Sequence, residues 1–230
     1  MLITTEGIVL KQNKIANNRR MIVVFTKDYG KISAGTGLSE RGRNRSALAL
    51  RPLTYSEYEI FKNRDYYNIN GAGIKRSFYS IGEDIDRFLA ASRVIEYLNE
   101  TLEEGKPQPR TFELTIEFME AITQAKGNYE TMLYAYLVKN LGMQGVMPEL
   151  NQCVDCGKKR EDFETPAYFS ISGGGILCGV CKEREKSDGD TLIFKPHFDI
   201  VEVLKYMVRH SLATFSRIQL KPEIQRELKT

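Results

Sequence analysis

The chain has 230 residues, 42% of them apolar and 27% charged, with a formal net charge of +3, which suits one large globular domain or two to three small ones. No apolar run approaches the ~20 residues of a membrane-spanning helix, and the opening stretch MLITTEGIVLKQ lacks the charged segment and apolar core of a secretory signal. The modest net charge hides a segregation: residues 1–80 hold 14 Lys/Arg against 6 Asp/Glu, residues 81–152 hold 6 against 12, and residues 153–230 hold 13 against 12.

A basic N-terminal unit joined to an acidic middle is the electrostatic footprint of a protein that meets a polyanion at one end. That unit reads as strands. LITTEGIVLKQ, RRMIVVFTKD, GKISAGTGL, PLTYSEYEIFKN and YYNINGAGIK are short β-branched and aromatic runs, separated by turn residues at Asn17-Asn18, Asp28-Tyr29-Gly30 and Asn63-Arg64-Asp65. Five strands in so short a segment predict a small barrel. The OB barrel is the candidate, since it binds single strands through basic loops and aromatic stacking. The expected nucleic-acid contacts are Lys11, Lys14, Arg19 and Arg20 around the first hairpin, and Arg41, Arg43, Arg45 and Arg51 in the long third connection. Three arginines at alternate positions repel one another unless an anion neutralises them. The aromatics Tyr29, Tyr55, Tyr58, Phe61, Tyr66 and Tyr67 are interleaved with these charges, and any one of them serves equally well as barrel packing.

Beyond residue 80 the apolar period changes from two to about 3.6. Ser80-x-x-Glu83 predicts a capping box, with Ile85, Phe88, Leu89, Ile95, Leu98 and Leu102 as the buried stripe of the helix it opens. Gly105, Pro107 and Pro109 end that helix. A second helix carries Phe112, Ile116 and Met119, and a third, capped by Asn128, carries Met132, Leu133, Tyr136, Leu137 and Leu141. The acidic residues lie mostly outside these stripes and read as a solvated face. A fourth helix starts at Pro196 and a short fifth follows Pro222.

Cys153-x2-Cys156 and Cys178-x2-Cys181 are the only cysteines, with 21 residues between the pairs. Four thiolates at this spacing, returned by a glycine-tipped hairpin, suit a closed tetrahedral structural Zn²⁺ site, one per chain. The alternatives are a pair of disulfides, a redox motif or a vestigial site, and a reducing cytosol disfavours disulfides. His197 and His210 lack ligand spacing to either pair and read as helix residues.

Taken together, the sequence predicts an α+β multidomain protein: an OB-fold barrel over 1–80, the first part of a helical domain over 81–152, a zinc finger over 153–181, and the C-terminal part of the helical domain over 182–230. There is no G-x4-G-K-[ST] loop, G-x-S-x-G elbow or H-E-x-x-H helix, and Gly35-x-Gly37 and Gly71-x-Gly73 lack a third glycine. No catalytic residues are expected, and the chain is not read as an enzyme.

The segment Leu141 to Gly157, LGMQGVMPELNQCVDCG, followed by FSISGGGILCGVC from Phe169 to Cys181, resembles the bacterial RecO recombination-mediator family. The order of Glu6-Gly7-Ile8-Val9-Leu10, Tyr29-Gly30-Lys31, a basic glycine-containing loop and Leu50-Arg51-Pro52-Leu53 agrees with it. The resemblance implies a non-enzymatic DNA repair protein of the bacterial cytoplasm and nucleoid. Such a protein binds single- and double-stranded DNA and anneals complementary strands. With RecR it helps to load RecA onto strands coated by single-strand-binding protein (SSB), whose C-terminal tail it also binds. The other readings are a zinc-ribbon transcription or RNA-binding factor built from the same parts and, more remotely, an enzyme with a scattered carboxylate site.

Overall fold

The computed structural model describes residues 1–15, 20–38, 45–64, 66–185, 192–195 and 200–228. Arg19, Arg41, Arg43, Pro196 and His197, the Asn17-Asn18 turn and Asp65 lie outside them, as does the side chain of Arg45. The chain divides into two compact units, Met1–Leu133 and Tyr134–Thr230.

The first unit begins with five strands, β1 (Leu2–Lys14), β2 (Arg20–Thr26), β3 (Gly30–Thr36), β4 (Thr54–Lys62) and β5 (Tyr67–Ser77). They pair in the order β1-β2-β3-β5-β4, and β4 returns to β1 to form a closed barrel. The five predicted strands are all present, in the order of an OB barrel. Closure is possible because β1 is long enough to serve two neighbours: residues 2–8 pair with β4 and residues 7–14 with β2. A bulge between Val9 and Lys11 turns the strand from one neighbour to the other. Alternation then does the packing. Ile22, Val24, Ile32, Ala34, Tyr58 and Ile60 project inward and meet Ile3, Val9, Leu50 and Ile69 in one core.

The third connection is not all loop. Residues Arg45–Ala49 form a short helix, α1, packed against β4 and β5. Its last carbonyl, that of Ala49, accepts hydrogen bonds from Ser56 Oγ at 3.1 Å and from the buried Tyr58 hydroxyl at 2.9 Å. Five residues are too few to show a helical period, which is why the sequence reads this stretch as irregular.

A 3-10 turn, Tyr79–Glu83, leads into α2 (Ile85–Thr101), followed by α3 (Pro109–Gln124). The cap of α2 is Asp84 and not the predicted Ser80. The Asp84 carboxylate accepts from the Arg87 backbone N–H at 3.0 Å, the ordinary N-cap geometry. The predicted stripe also needs correction. Ile95, Leu98 and Leu102 are buried as expected, but Ile85, Phe88 and Leu89 are exposed. The buried face runs instead through Ala90, Ala91, Val94, Ile95 and Leu98, where two alanines permit close approach. Arg87, which no stripe would select, donates to the carbonyls of Ser80 and Ala125 and to the Tyr129 hydroxyl.

Helix α3 covers one side of the barrel. Phe112 meets Phe25 and Tyr55 edge-on, with centroids 5.4 Å and 6.1 Å apart. Glu113 and Glu120, read from the sequence as solvated, pair with Lys27 and Arg76 of the barrel. The turn after α2 closes on β3 as well. Gly105 N–H donates to the Lys31 carbonyl at 2.9 Å, and Lys31 Nζ donates to the Asn99 carbonyl at 2.8 Å. At Gly30, φ is +68° and a Cβ would stand 2.1 Å from the Lys106 carbonyl oxygen, so this contact requires glycine.

Inside this unit Glu6 accepts from the Tyr55 hydroxyl and pairs with Lys75. The Lys75 ammonium, then the Tyr55 hydroxyl, hold the Glu6 carboxyl below the usual carboxylate range, against a smaller desolvation effect. A depressed folded pKa contributes stability above the unfolded value, about 4.3, and that contribution is lost as pH falls through the folded pKa. Glu6→Gln should therefore melt at a lower temperature than the parent at pH 7, with the gap closing below about pH 4. Thermal melts of both proteins across that range check it.

Helix α4 (Tyr129–Met143) crosses into the second unit. That unit holds a small sheet of β6 (Tyr168–Ser170), β7 (Gly175–Leu177) and β8 (Ile193–Phe194), with helix α5 (Gly179–Glu185) beside it in sequence. Helices α6 (Ile200–Arg209) and α7 (Pro222–Leu228) follow, separated by a 3-10 turn at Leu212–Arg217. Lys139 Nζ donates to the Val208 carbonyl at 2.8 Å. His210 stacks on Tyr206 with centroids 3.8 Å apart, while Phe215 meets Tyr206 edge-on. His210 is thus a packed helix-end residue.

Candidate functional site

Two knuckles bring the four cysteines together. In the first, Cys153 N–H donates to the Lys158 carbonyl at 2.8 Å and Gly157 N–H to the Cys153 carbonyl at 3.0 Å, curling Cys153 and Cys156 round a common centre. The β6–β7 hairpin then returns the chain so that Cys178 and Cys181 sit at the start of α5. Glu149 stitches the two parts: its N–H donates to the Gly174 carbonyl and its carbonyl accepts from Ile176 N–H. Gly175 is required at that crossing, because a Cβ would lie 2.6 Å from the Glu149 carbonyl oxygen. Leu177, Val154, Phe163, Tyr168 and Ile193 pack round the sulfurs.

The four Sγ atoms lie within 4.8 Å of one another. Cys153, Cys178 and Cys181 are buried, Cys156 is exposed, and none is in a disulfide. Cys156 and Cys178 have their sulfurs 3.8 Å apart. That is the edge of a tetrahedron whose metal–sulfur bonds are about 2.3 Å. A disulfide would need a separation of about 2.05 Å. Burial pushes the Cys153 thiol up, but the backbone N–H groups of Cys156, Cys178 and Asp155 outweigh it and bring its pKa down to about 7. Burial, with the Asp155 carboxyl and the other thiols, pushes Cys181 the other way. Four sulfurs this close cannot all carry charge unless a cation lies among them. The donor set therefore fits a soft divalent ion with a closed shell.

Of the expected nucleic-acid residues, Lys11, Lys14, Arg20 and Arg51 lie among those described with their side chains. Lys11 is exposed beside the β1 bulge and pairs across the ladder with Val23; Lys14 pairs with Arg20 at the end of the first hairpin. Arg51 is exposed just after α1. Arg20 is only 3% exposed, and its guanidinium donates to the Leu38 carbonyl at 2.6 Å. It ties the end of β3 to β2 and does not face solvent. Four further barrel cations are engaged within the unit, Lys27 with Glu113, Arg76 with Glu120, Lys75 with Glu6 and Lys31 with a helix carbonyl. Sequence reasoning named Phe61, Tyr66 and Tyr67 as interleaved aromatics but assigned no contact to Lys62 and Arg64, which stand between them in the β4–β5 hairpin. Its signal is legible as FKNRDYY, a basic turn with aromatic flanks.

Comparison with known proteins decides the family. The pattern described as Recombination protein O N terminal matches residues 1–78, and that described as Recombination protein O C terminal matches residues 82–230. The chain belongs to the RecO family. It is 32% identical over 223 residues to the DNA repair protein RecO of Caldanaerobacter subterraneus subsp. tengcongensis, covering 97% of this chain and 87% of the relative. It is 28% identical over 228 residues to that of Alkaliphilus metalliredigens, covering 99% and 89%. To that of a Thermoanaerobacter species it is 29% identical over 228 residues, covering 99% and 88%. As a RecO-family DNA repair protein the chain joins an OB barrel, helices and a four-cysteine cluster fitted for zinc. No helix among the described residues is long and apolar enough to cross a membrane.

Proposed function

We propose that this chain is a DNA-binding recombination mediator and not an enzyme. It binds single- and double-stranded DNA, anneals complementary strands and, with RecR, helps to place RecA on strands covered by SSB, whose C-terminal tail it also engages. It works in the bacterial cytoplasm, on the nucleoid. The observation that carries the reading is the basic OB barrel within a RecO match over residues 1–78 and 82–230. Lys11, Lys14, Arg19, Arg41, Arg43, Arg45 and Arg51 neutralise phosphates, while Arg20 holds the first hairpin in place for them.

Cys153, Cys156, Cys178 and Cys181 hold one Zn²⁺ per chain, which supplies folding energy and leaves no open position for substrate. Annealing needs no covalent step. Bringing two neutralised strands together on one surface raises their effective concentration, so no nucleotide is consumed. The protein should accelerate annealing of complementary oligonucleotides without ATP and leave both strands chemically intact, as followed by strand-pairing fluorescence and denaturing gels. SSB on the strands should be tolerated, and deleting the SSB tail should remove that tolerance. Cleaved strands would return the enzyme reading. Failure to anneal with a preference for RNA would favour the zinc-ribbon factor.

A further inference from the structure

The barrel's registers put one outward row of residues across five strands. Asn13 pairs with Met21, Met21 with Gly35, Gly35 with Asn68, and Asn68 with Phe61. The neighbouring row, Ile22, Ala34 and Tyr67, turns inward to the core, so the Asn13-to-Phe61 row faces away from it. From Met21 to Phe61 the row crosses three strand spacings, about 14 Å. Its floor is low. Gly35 presents no side chain, and even a Cβ there would have its nearest neighbour, Asn68 Oδ1, at 3.6 Å. Asn68 and Asn70 line the floor with amides joined by a 2.6 Å hydrogen bond.

At one end of this row the β4–β5 hairpin supplies aromatics and charge together. Phe61 is 39% exposed and Tyr66 is 54% exposed. The other aromatics of the barrel are committed elsewhere. Tyr58 is buried in the core, Tyr55 is bound to Glu6 and packed on Phe112, and Tyr29 and Tyr67 half-bury against the core under Lys62 Nζ, 5.5 Å from each centroid. The hairpin is held in shape by Asn63 N–H on the Tyr66 carbonyl at 3.0 Å and Arg64 N–H on Asn63 Oδ1 at 2.8 Å. Exposed rings beside the Arg64 turn match a polyanion whose bases are unpaired, because a paired base hides its faces in the duplex stack.

We infer that Phe61 and Tyr66 are the base-stacking residues of this barrel, and that the low row from Met21 to Phe61 carries single-stranded nucleic acid and favours strands over duplexes. The inference rests on the nucleic-acid binding proposed above. Bases stack on the two rings, and Arg64 in the turn neutralises a phosphate beside them.

The test compares oligo(dT), an abasic oligonucleotide of the same length and a duplex, bound by the parent, by Phe61→Ala/Tyr66→Ala and by Tyr66→Phe. The parent should bind oligo(dT) more tightly than the abasic strand. Each ring lost should weaken oligo(dT) binding by roughly 5- to 150-fold, leaving abasic and duplex binding and the salt slope unchanged, and Tyr66→Phe should bind as the parent does. A double variant that binds oligo(dT) like the parent overturns the inference. So does a parent indifferent to bases, or a variant defective only in binding a protein partner. A parent that binds none of the three overturns instead the nucleic-acid reading on which the inference rests.

Discussion

Cys178→Ser should strip the protein of its metal and unfold the segment around residues 150–185, while the barrel keeps its fold. Structural zinc in small modules is held with apparent energies of about 10–16 kcal/mol. That exceeds what the few apolar residues beside the sulfurs, Leu177, Val154, Phe163, Tyr168 and Ile193, supply. The parent, purified reduced and without chelator, should carry one zinc per chain and the variant far less. Limited proteolysis should then cut the variant between the cysteine pairs and leave residues 1–133 resistant, because the barrel core contains none of the cysteines. A chelator should reproduce this in the parent. A parent free of metal and equally resistant would reduce the four sulfurs to a packed cluster.

Reversing Arg41, Arg43 and Arg45 to Glu should weaken binding to single-stranded DNA by about 100-fold at 0.1 M salt and flatten the logarithmic salt slope by about 2, since each phosphate contact contributes about 0.7. The loss should be uniform across sequences, because phosphates carry none of the sequence information. Lys11→Glu, on the other side of the barrel sequence, should remove a single contact's share. Unchanged slope in a folded triple variant would move the phosphate path to the first hairpin and the Lys62–Arg64 turn. This signature differs from that of the ring substitutions, which lower affinity and leave the slope alone.

The strands were legible because alternation is local: Ile22, Val24, Ile32, Ala34, Tyr58 and Ile60 each announce their side of the sheet within a few residues. The metal cluster was legible because two C-x2-C pairs admit few geometries. What a local pattern lacks is knowledge of the far neighbour. Ile85, Phe88 and Leu89 satisfy a helical stripe as well as Ala90, Ala91 and Val94 do, and only the position of the neighbouring elements selects the second set. Arg20 looks like a loop cation until it is counted in step with Ile22 and Val24, which puts it on the inward side. Glu113 and Glu120 look solvated because Lys27 and Arg76 are distant in sequence. Phe61 and Tyr66 were not told apart from the packing aromatics for a related reason: their rings differ from the core tyrosines only in exposure.

The barrel's wall is unequal round its circumference. Strands β4 and β5 share nine Cα pairs, from Thr54↔Ser77 to Lys62↔Tyr67, whereas β3 meets β5 at only Ala34↔Tyr67 and Gly35↔Asn68. That parallel pairing also joins the strands by the long crossover that parallel neighbours require. During synthesis β1, β2 and β3 can zip as they emerge, but β1 has no second neighbour until residues 54–62 arrive, and the ring cannot shut until residue 67 has followed. The seam is thus the thinnest part of the wall, and amide hydrogens there should exchange faster than those between β4 and β5. Gly35 and Asn68, which meet at this seam, form the floor beside the exposed rings, so a strand lying across it would act as a clasp on the most sparsely paired joint of the barrel.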